Sequence, residues 1–213
     1  MKSLKVLFID WHNTLSTNLF WQQLEDSSHE FHQYHQLIVK HLFKDNREKI
    51  DDWMRGRISE PEIIRWLSQV ISMEPKIVRA LLVESCLQMK FDFPEIISLV
   101  EEIRRQGILV VLATDNMNVF RKYTVPTLGL DTLFDELIIS NEIQHLKADI
   151  IDSRILFFES FLEKRGLEYA DCLLIDDSPV KLTEYLDLGF KRIKVRNPKE
   201  TMHQLTDLRT NHH

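Results

Sequence analysis

Acidic and hydroxyl side chains follow three short apolar segments of the chain, and these are side chains that could bind or transfer a charged group. The apolar segments are residues 4–9, 108–113 and 172–175, and the polar residues that follow them are Asp10, Thr114, Asp115, Asp176 and Asp177. Hard cations such as Mg²⁺ prefer oxygen ligands of this kind. Asp176 and Asp177 could cap a helix ahead of Pro179, but adjacent carboxylates repel each other, so a cation between them is the simpler interpretation.

The three apolar segments have the length and composition of strands that are buried on both faces of a parallel sheet. Segments 136–139 and 192–195 predict two more strands, and helical periodicity is present in residues 94–106, 149–164 and 180–188, each close to a glycine that can end a helix. Helices and strands therefore alternate from residue 91 onward, which predicts an α/β fold with a doubly wound, Rossmann-like parallel sheet. In such a sheet the carboxyl ends of the strands converge on one crevice where ligands bind.

Residues 17–89 have a different pattern, because they carry amphipathic helical segments and no strand signal. The helical segments are residues 31–43, 50–55, 60–71 and 75–88. Ser59 and Glu62 form a capping-box pattern around Pro61, which suits a first helical turn. We therefore expect an α/β core made of residues 1–16 and 91–213, and an inserted helical cap made of residues 17–90.

Composition excludes several classes of protein. The chain has 213 residues, of which 44% are hydrophobic and 28% charged, with a net charge of −6. It therefore has no basic surface for a nucleic-acid backbone, and no apolar run approaches the roughly 20 residues that span a bilayer. Only Cys86 and Cys172 are present, and we interpret them as core residues of a protein in a reducing, cytoplasmic compartment. The terminal His212 and His213 are assigned no role, whether they are native or the remainder of a tag.

Four motifs of the chain resemble those of the haloacid dehalogenase-like hydrolase superfamily, in the phosphatase type that carries a helical cap between its first and second motifs. The motifs are residues 6–15 with the sequence VLFIDWHNTL, Thr114 after the second strand, Lys147 before a helix, and residues 175–178 with the sequence IDDS. They occur in the family's order and at similar spacing, so the resemblance covers essentially the whole chain.

The resemblance implies a mechanism in which Asp10 is the nucleophile and forms an aspartyl-phosphate. Lys147 and Thr114 would neutralise and bind the phosphoryl oxygens. Mg²⁺ would be bound by Asp10, the backbone carbonyl of His12 and Asp177. Asp176 would be a direct ligand or would act through a neighbouring ligand. Without the resemblance, Lys147 would be read as a surface lysine and Thr114 as an ordinary strand-end residue.

The most informative departure from the family pattern is His12, which stands where the phosphatases carry a second Asp that protonates the leaving group and activates water. With an ordinary pKa near 6.5, a histidine can do acid and base work and would favour a pH optimum on the acid side of neutral. It is also compatible with a weakened phosphatase. Asn13 replaces a usual Gly and tolerates a left-handed turn, and Ala148 replaces a common Pro.

Three functions remain open at the level of the sequence. The first is a Mg²⁺-dependent phosphohydrolase for a small phosphorylated metabolite, acting as a monomer or a homodimer. The second is a weakened protein that binds a phosphometabolite or a partner. The third is a metal-independent 2-haloacid dehalogenase, although that branch usually lacks an acidic pair such as Asp176-Asp177.

Candidate substrate contacts are Asp115, Asn116, Arg55 and Arg57, since an Arg gives planar recognition of a phosphate or carboxylate. Trp53, which precedes the two arginines, is a candidate as well. For the cap residues around Gly56, the ordinary interpretation is a solvated turn between two helices. The aromatic residues Phe20, Trp21, Phe31 and Tyr34 could line a pocket, but core packing is the default at helical spacing.

Overall fold

The computed structural model of the protein describes residues 4–178 and 182–210. Its strands are β1 (Val6–Ile9), β2 (Leu109–Thr114), β3 (Glu136–Ile139), β4 (Ile150–Ile151), β5 (Arg154–Ile155), β6 (Cys172–Asp176) and β7 (Lys191–Lys194). Five of them form a parallel sheet in the order β3-β2-β1-β6-β7, and β4 pairs with β5 in a separate antiparallel hairpin. The predicted doubly wound parallel sheet is therefore confirmed.

The α-helices follow the chain between and around these strands. They are α1 (His35–Ile38), α2 (Arg47–Met54), α3 (Glu60–Ile71), α4 (Pro75–Gln88), α5 (Glu95–Arg105), α6 (Val125–Leu128), α7 (Leu130–Leu133), α8 (Ser140–Ile143), α9 (Leu156–Arg165), α10 (Leu182–Asp187) and α11 (Pro198–Thr210). Short 3₁₀ segments span Gln22–Glu25, His32–Tyr34 and Tyr169–Asp171, and π-helical segments span Val39–Lys44 and Phe120–Thr124.

Strand β1 lies in the middle of the sheet and buries both of its faces. Leu7 and Ile9 point into one hydrophobic cluster, which contains the apolar sides of α5 and α11. Val6 and Phe8 point into a second cluster with α9, where the Phe8 ring centroid lies 4.6 Å from that of Phe158. Because side chains alternate along a strand, a fully apolar strand of this kind needs helices on both sides.

The region between β1 and α5 contains helical segments and, over residues 17–89, no strand. The predicted helix over residues 60–71 is confirmed with the same bounds, and its capping box is present: the Ser59 backbone N–H donates to Glu62 Oε2 at 2.8 Å. The buried residues of these helices, among them Trp53 and Leu67, belong to the same cluster as Leu7 and Ile9 of β1. The helical region and one face of the sheet therefore share a hydrophobic cluster, and the division of the helical region from the core at residues 17 and 90 remains a proposal.

Most of the predicted core residues are buried as expected. Trp21 and Phe20 lie in the large hydrophobic cluster, and Phe31 and Tyr34 pack against its edge, as expected of core packing at helical spacing. Cys86 and Cys172 are free and buried.

The helix predicted over residues 149–164 is wrong in its first turns. Residues 150–155 form the β4–β5 hairpin, and helix α9 begins only at Leu156. The turn residues Asp152 and Ser153 adopt φ values of 50° and 62°. Two consecutive residues with positive φ are the signature of a tight hairpin turn, and they interrupt any helix.

Two other helical predictions differ from the structure. Residues 31–43 form successive 3₁₀, α and π segments where one amphipathic helix was expected, and the terminal helix α11 was not predicted. The helix expected over residues 180–188 is observed as α10 from Leu182, and its predicted start lies outside the described residues. Across the described part of the chain, every helix is too short or too polar to cross a lipid bilayer.

Candidate active site

A cavity of about 520 Å³ opens at the carboxyl ends of β1, β2 and β6. It is lined by seven of the eleven candidate site residues of the sequence, namely Asp10, His12, Thr114, Asp115, Lys147, Asp176 and Asp177. Residues up to 167 positions apart in the chain meet here because parallel strands place their carboxyl ends at the same edge of the sheet.

Asp10 lies directly after β1 and is almost completely buried. Its backbone N–H donates to the carbonyl of Ile175 at 3.0 Å, which continues the β1–β6 pairing to the last residue before the cavity. Burial raises the pKa of the Asp10 carboxyl to about 7, against the opposing effect of the Lys147 ammonium. Any further positive charge beside this carboxyl would stabilise its ionised form and lower its pKa.

Lys147 connects two of the carboxylates. Its Nζ lies 2.8 Å from Asp10 Oδ1 and 2.6 Å from Asp176 Oδ2. Its backbone is held as well, since its N–H donates to Asp115 Oδ1 at 3.0 Å and its carbonyl accepts from the Tyr185 hydroxyl at 2.8 Å. Burial alone would lower the pKa of Lys147, but Asp10, Asp176 and Asp115 outweigh burial and raise it, so the lysine is a permanent cation beside Asp10.

Asp176 is surrounded by donors. Besides Lys147, its Oδ1 accepts from Arg192 Nη2 at 2.7 Å and from the Ser178 backbone N–H at 2.7 Å. Burial would raise the pKa of Asp176, but the two cations outweigh burial and hold the pKa below its ordinary value. Asp176 is therefore ionised and satisfied by the protein itself.

A third carboxylate, that of Asp177, completes a group suited to a metal ion. One oxygen each from Asp10, Asp176 and Asp177 lie within 4.8 Å of one another. Asp177 is more exposed than the other two, and its Oδ2 accepts from Asn13 Nδ2 at 3.1 Å. Asn13 has a φ of 51°, the left-handed conformation expected of a residue in the position of a glycine.

Three converging hard oxygen donors, with a raised pKa at Asp10, fit a divalent cation such as Mg²⁺. Asp10 and Asp177 would be the better carboxylate ligands for such a cation, because Asp176 already accepts from Lys147, Arg192 and the Ser178 backbone.

His12 lies at the cavity but differs from the sequence-based expectation of an unperturbed imidazole. Burial lowers its pKa below 6.5, against the opposing effects of Asp177, the Asn18 backbone and Asp92. Its Nδ1 atom is buried and has no hydrogen-bond partner among the described residues. At neutral pH the ring is therefore chiefly the neutral imidazole, which accepts a proton more readily than it donates one.

The last residue of β2 and the two residues after it face different surroundings. Thr114 is buried at the cavity wall, and Asp115 lies beside it with its pKa raised by burial to about 6. Asn116 does not line the cavity. Its Oδ1 accepts from the Met117 backbone N–H at 3.0 Å, and its own N–H donates to Ser140 Oγ at 2.9 Å, so the structure shows Asn116 shaping the turn.

Arg55 and Arg57 of the helical region, which the sequence predicts as substrate contacts, also lie outside the cavity lining. Arg55 forms a two-point ion pair with Asp149, through Nε at 3.1 Å and Nη2 at 2.7 Å, and Arg57 pairs with Asp52 at the surface. Between them, Gly56 adopts a φ of 69°, and a Cβ there would lie 2.9 Å from the Asn141 carbonyl oxygen. The turn is thus a contact between the helical region and the core. The solvated-turn interpretation describes Arg57 only.

Sequence analysis missed the part of the cavity wall that α2 supplies. Arg47, Asp51 and Met54 line the cavity from that helix. Their spacing of four and three residues places them on one face of the helix. This spacing is visible in the sequence, but it does not indicate which part of the protein that face contacts. Arg192 and Tyr185 also line the cavity, and no motif marks either of them.

A family model for haloacid dehalogenase-like hydrolase matches residues 4–182 of the chain. A search of curated proteins finds no match.

Solved structures with the same fold include HAD family enzyme bt-2542 from Bacteroides thetaiotaomicron, with 16% identity, a TM-score of 0.73, and coverage of 95% of this chain and 98% of that one. The bt-2542 enzyme has also been solved in complex with magnesium and inorganic phosphate. An L-2-haloacid dehalogenase from Xanthobacter autotrophicus, with chloropropionic acid covalently bound, is similar at 13% identity and a TM-score of 0.63, over 94% of this chain and 81% of that one. At these identities the likeness concerns the fold.

Proposed function

Since the chain belongs to the haloacid dehalogenase-like hydrolase family, we propose that it is a Mg²⁺-dependent phosphohydrolase that acts on a small phosphorylated metabolite through an aspartyl-phosphate on Asp10. The observation that carries the proposal is the convergence of Asp10, Asp176 and Asp177 around one point, with Lys147 bound to the first two. A similar fold solved with magnesium and inorganic phosphate supports it.

The first step is attack by an Asp10 carboxylate oxygen on phosphorus, which breaks the bond between phosphorus and the leaving oxygen. Lys147 places a permanent positive charge beside the attacking carboxylate, and Thr114 offers a hydroxyl donor at the same wall. Asp10, Asp177 and the His12 carbonyl would hold Mg²⁺, which would supply positive charge to the transferring oxygens when bound. The leaving oxygen takes its proton from solvent or from the protonated fraction of His12.

The second step is hydrolysis of the aspartyl-phosphate. A water molecule attacks phosphorus, its proton passes to the neutral imidazole of His12, and inorganic phosphate leaves as the Asp10 carboxylate is restored. The lowered pKa of His12 suits this base step. It suits the acid step less well, because a general acid must be protonated, so substrates with good leaving groups should be hydrolysed fastest.

We also propose that residues 17–90 act as the cap over this core of residues 1–16 and 91–213. Helix α2 from that region supplies Arg47, Asp51 and Met54 to the cavity wall. A substrate bound at Asp10 would thus be enclosed between the sheet edge and α2, which would exclude water from the reacting groups.

The test is hydrolysis of a generic aryl phosphate and a panel of sugar and nucleotide phosphates from about pH 5 to 9, with Mg²⁺ and then with a chelator. We expect metal-dependent turnover and a loss of roughly a thousandfold or more in Asp10→Asn. The exposed residue Asp207 on α11 supplies the matched control, since Asp207→Asn changes charge equally and should keep full activity. Full turnover in Asp10→Asn would refute the mechanism.

Two alternatives are each favoured by one observation. The lowered pKa of His12 favours a weakened hydrolase that binds a phosphometabolite or a partner. In that case His12→Asp should raise turnover strongly, while a working acid or base at position 12 predicts a loss in His12→Ala with a shifted pH profile. The likeness to a 2-haloacid dehalogenase favours dehalogenation, which predicts activity on 2-haloacids that persists in chelator.

A further inference from the structure

Arg192 is a buried cation that no catalytic motif of the sequence contains. It lies in β7, the edge strand of the sheet beside β6, and its side chain is only 3% exposed. Its guanidinium carbon lies 5.5 Å from the centre of the Tyr185 ring. A charged side chain is rarely buried to this extent unless it is paired, so its partners indicate why it is there.

The guanidinium binds the Asp176 carboxylate and the loop that follows it. Arg192 Nη2 lies 2.7 Å from Asp176 Oδ1, and it also donates to the Ser178 carbonyl oxygen. The Ser178 backbone N–H donates to the same Oδ1 at 2.7 Å. Oδ1 is therefore held from two directions, and one guanidinium nitrogen, Nη2, joins the carboxylate to the backbone two residues later.

Fixing Oδ1 also fixes the second oxygen of the carboxylate. The carboxyl torsion of an aspartate is broad, so a carboxylate with neither oxygen held would turn freely, whereas holding one oxygen sets the torsion. With Oδ1 held, Oδ2 points at the Lys147 Nζ at 2.6 Å, and the same Nζ lies 2.8 Å from Asp10 Oδ1. A continuous chain of charged contacts thus runs from Arg192 through Asp176 and Lys147 to Asp10.

We propose that Arg192 is a positioning residue, which fixes the Asp176 carboxylate so that Asp176 holds the Lys147 ammonium against Asp10. Arg192 acts through its two neighbours in this chain of contacts. The kinetic consequence rests on the proposed phosphohydrolase function, whereas the structural consequence for Lys147 does not. Tyr185 supports the same arrangement by donating its hydroxyl to the Lys147 carbonyl.

The kinetic test compares Arg192→Met, which removes the charge and the contacts with Asp176 and Ser178, with Arg192→Lys, which keeps a charge on a shorter side chain. Arg196 supplies the control, because it follows the same strand, its side chain is 81% exposed, and among the described residues it forms an ion pair with Glu200. Arg196→Met should therefore leave kcat and KM unchanged. We expect Arg192→Met to lower kcat on an aryl phosphate by about 30- to 100-fold, as for a misplaced catalytic group, with KM changed less than about threefold. Arg192→Lys should recover part of the loss.

A second measurement does not depend on turnover. The Lys147 ammonium is buried between two carboxylates, so we expect it to exchange slowly with water and to give a ¹H–¹⁵N side-chain signal at low temperature. That signal is assigned as the one that Lys147→Met removes. We expect this signal to shift or broaden beyond detection in Arg192→Met and Arg192→Lys, and to be unchanged in Arg196→Met.

The outcomes separate the two proposals. An unchanged Lys147 signal in folded Arg192→Met, or a kcat within twofold of the parent protein, overturns the positioning role. A raised KM at constant kcat overturns it too, since that result means that Arg192 binds substrate. If the parent protein hydrolyses no phosphate ester, the proposed function fails, and the Lys147 signal still decides the role of Arg192. If Arg192→Met does not fold, the same measurements on Arg192→Lys decide it.

Discussion

Asp115 is a carboxyl group whose ionisation at neutral pH should cost the protein stability. Burial raises its pKa from 3.8 to about 6, against the opposing effect of Lys147. This is roughly 2 pKa units, and one unit corresponds to about 1.4 kcal/mol, so ionised Asp115 should destabilise the folded protein by about 3 kcal/mol at most. Asp115→Asn removes the charge and keeps an oxygen that can accept from the Lys147 backbone N–H, as Oδ1 does at 3.0 Å.

The sign of the pH dependence follows from the direction of the shift. Below pH 3.8 the carboxyl of Asp115 is protonated in both the folded and the unfolded protein, so it contributes no difference. As pH rises toward 6 the unfolded chain ionises first, and the cost to the folded state grows until the folded carboxyl ionises too. The stability gained by Asp115→Asn should therefore increase by about 2 kcal/mol between pH 4.5 and pH 7.5 and stay constant above that.

Urea unfolding of the parent protein and Asp115→Asn at four or five pH values, in chelator, measures this difference. For a chain of this length, about 2 kcal/mol corresponds to a change in Tm of roughly 4 to 8 °C, so calorimetry gives a second measure. The exposed Asp207→Asn should show no such trend. A stability difference that is independent of pH would refute the reasoning, because it would mean that burial does not perturb the ionisation of Asp115.

Three further predictions concern the contacts of Arg55 and Gly56 with the core, and the binding of Mg²⁺. Arg55→Ala should lower the free energy of unfolding in urea by about 1–2 kcal/mol, because the side chains of the two-point Arg55–Asp149 ion pair are only 16% and 22% exposed. A double-mutant cycle with Asp149→Asn should give a coupling energy of about 1 kcal/mol. A coupling energy near zero would contradict this prediction. Gly56→Ala should cost at least about 1 kcal/mol more than Gly107→Ala, since both have positive φ but only Gly56 lacks room for a Cβ; equal losses would refute a tight contact. In calorimetric titrations, Mg²⁺ should bind up to about tenfold more weakly for each pH unit below 7. The reason is that protons compete with the metal for the Asp10 carboxylate, whose pKa is raised to about 7. An affinity that does not change with pH would show that Asp10 is not a ligand.

The sheet and the residues at its edge were predictable from the sequence. Buried parallel strands are continuous apolar runs, and such runs are visible without any tertiary information. Once three runs are placed in one parallel sheet, their carboxyl ends must meet, so Asp10, Thr114 and Asp177 could be placed together although they are far apart in the chain. Lys147 was placed with them by the resemblance of the motifs, since it ends no strand. The roles of these residues in catalysis remain predictions.

Local backbone geometry was predictable where a strong signal was present and not elsewhere. The Ser59 and Glu62 pattern marked the start of α3 correctly, because a capping box is a local device. The sequence predicted a helix where residues 150–155 form a hairpin, because Ile150 and Ile151 fit both helical and strand periodicity and the turn at Asp152 has no glycine.

The residue types at the ends of the buried strands can therefore be read directly from the sequence. Their charge states and partners follow only from how the chain packs. The pKa of His12 is lowered and that of Asp115 raised by burial, a property of the packed chain that no motif encodes. Arg55 binds Asp149, and Arg192 reaches Asp176 across the sheet, since an ion pair depends on where two side chains meet in space. Residue type sets what chemistry a position can do, and packing sets which of those chemistries the solvent and the neighbouring charges allow.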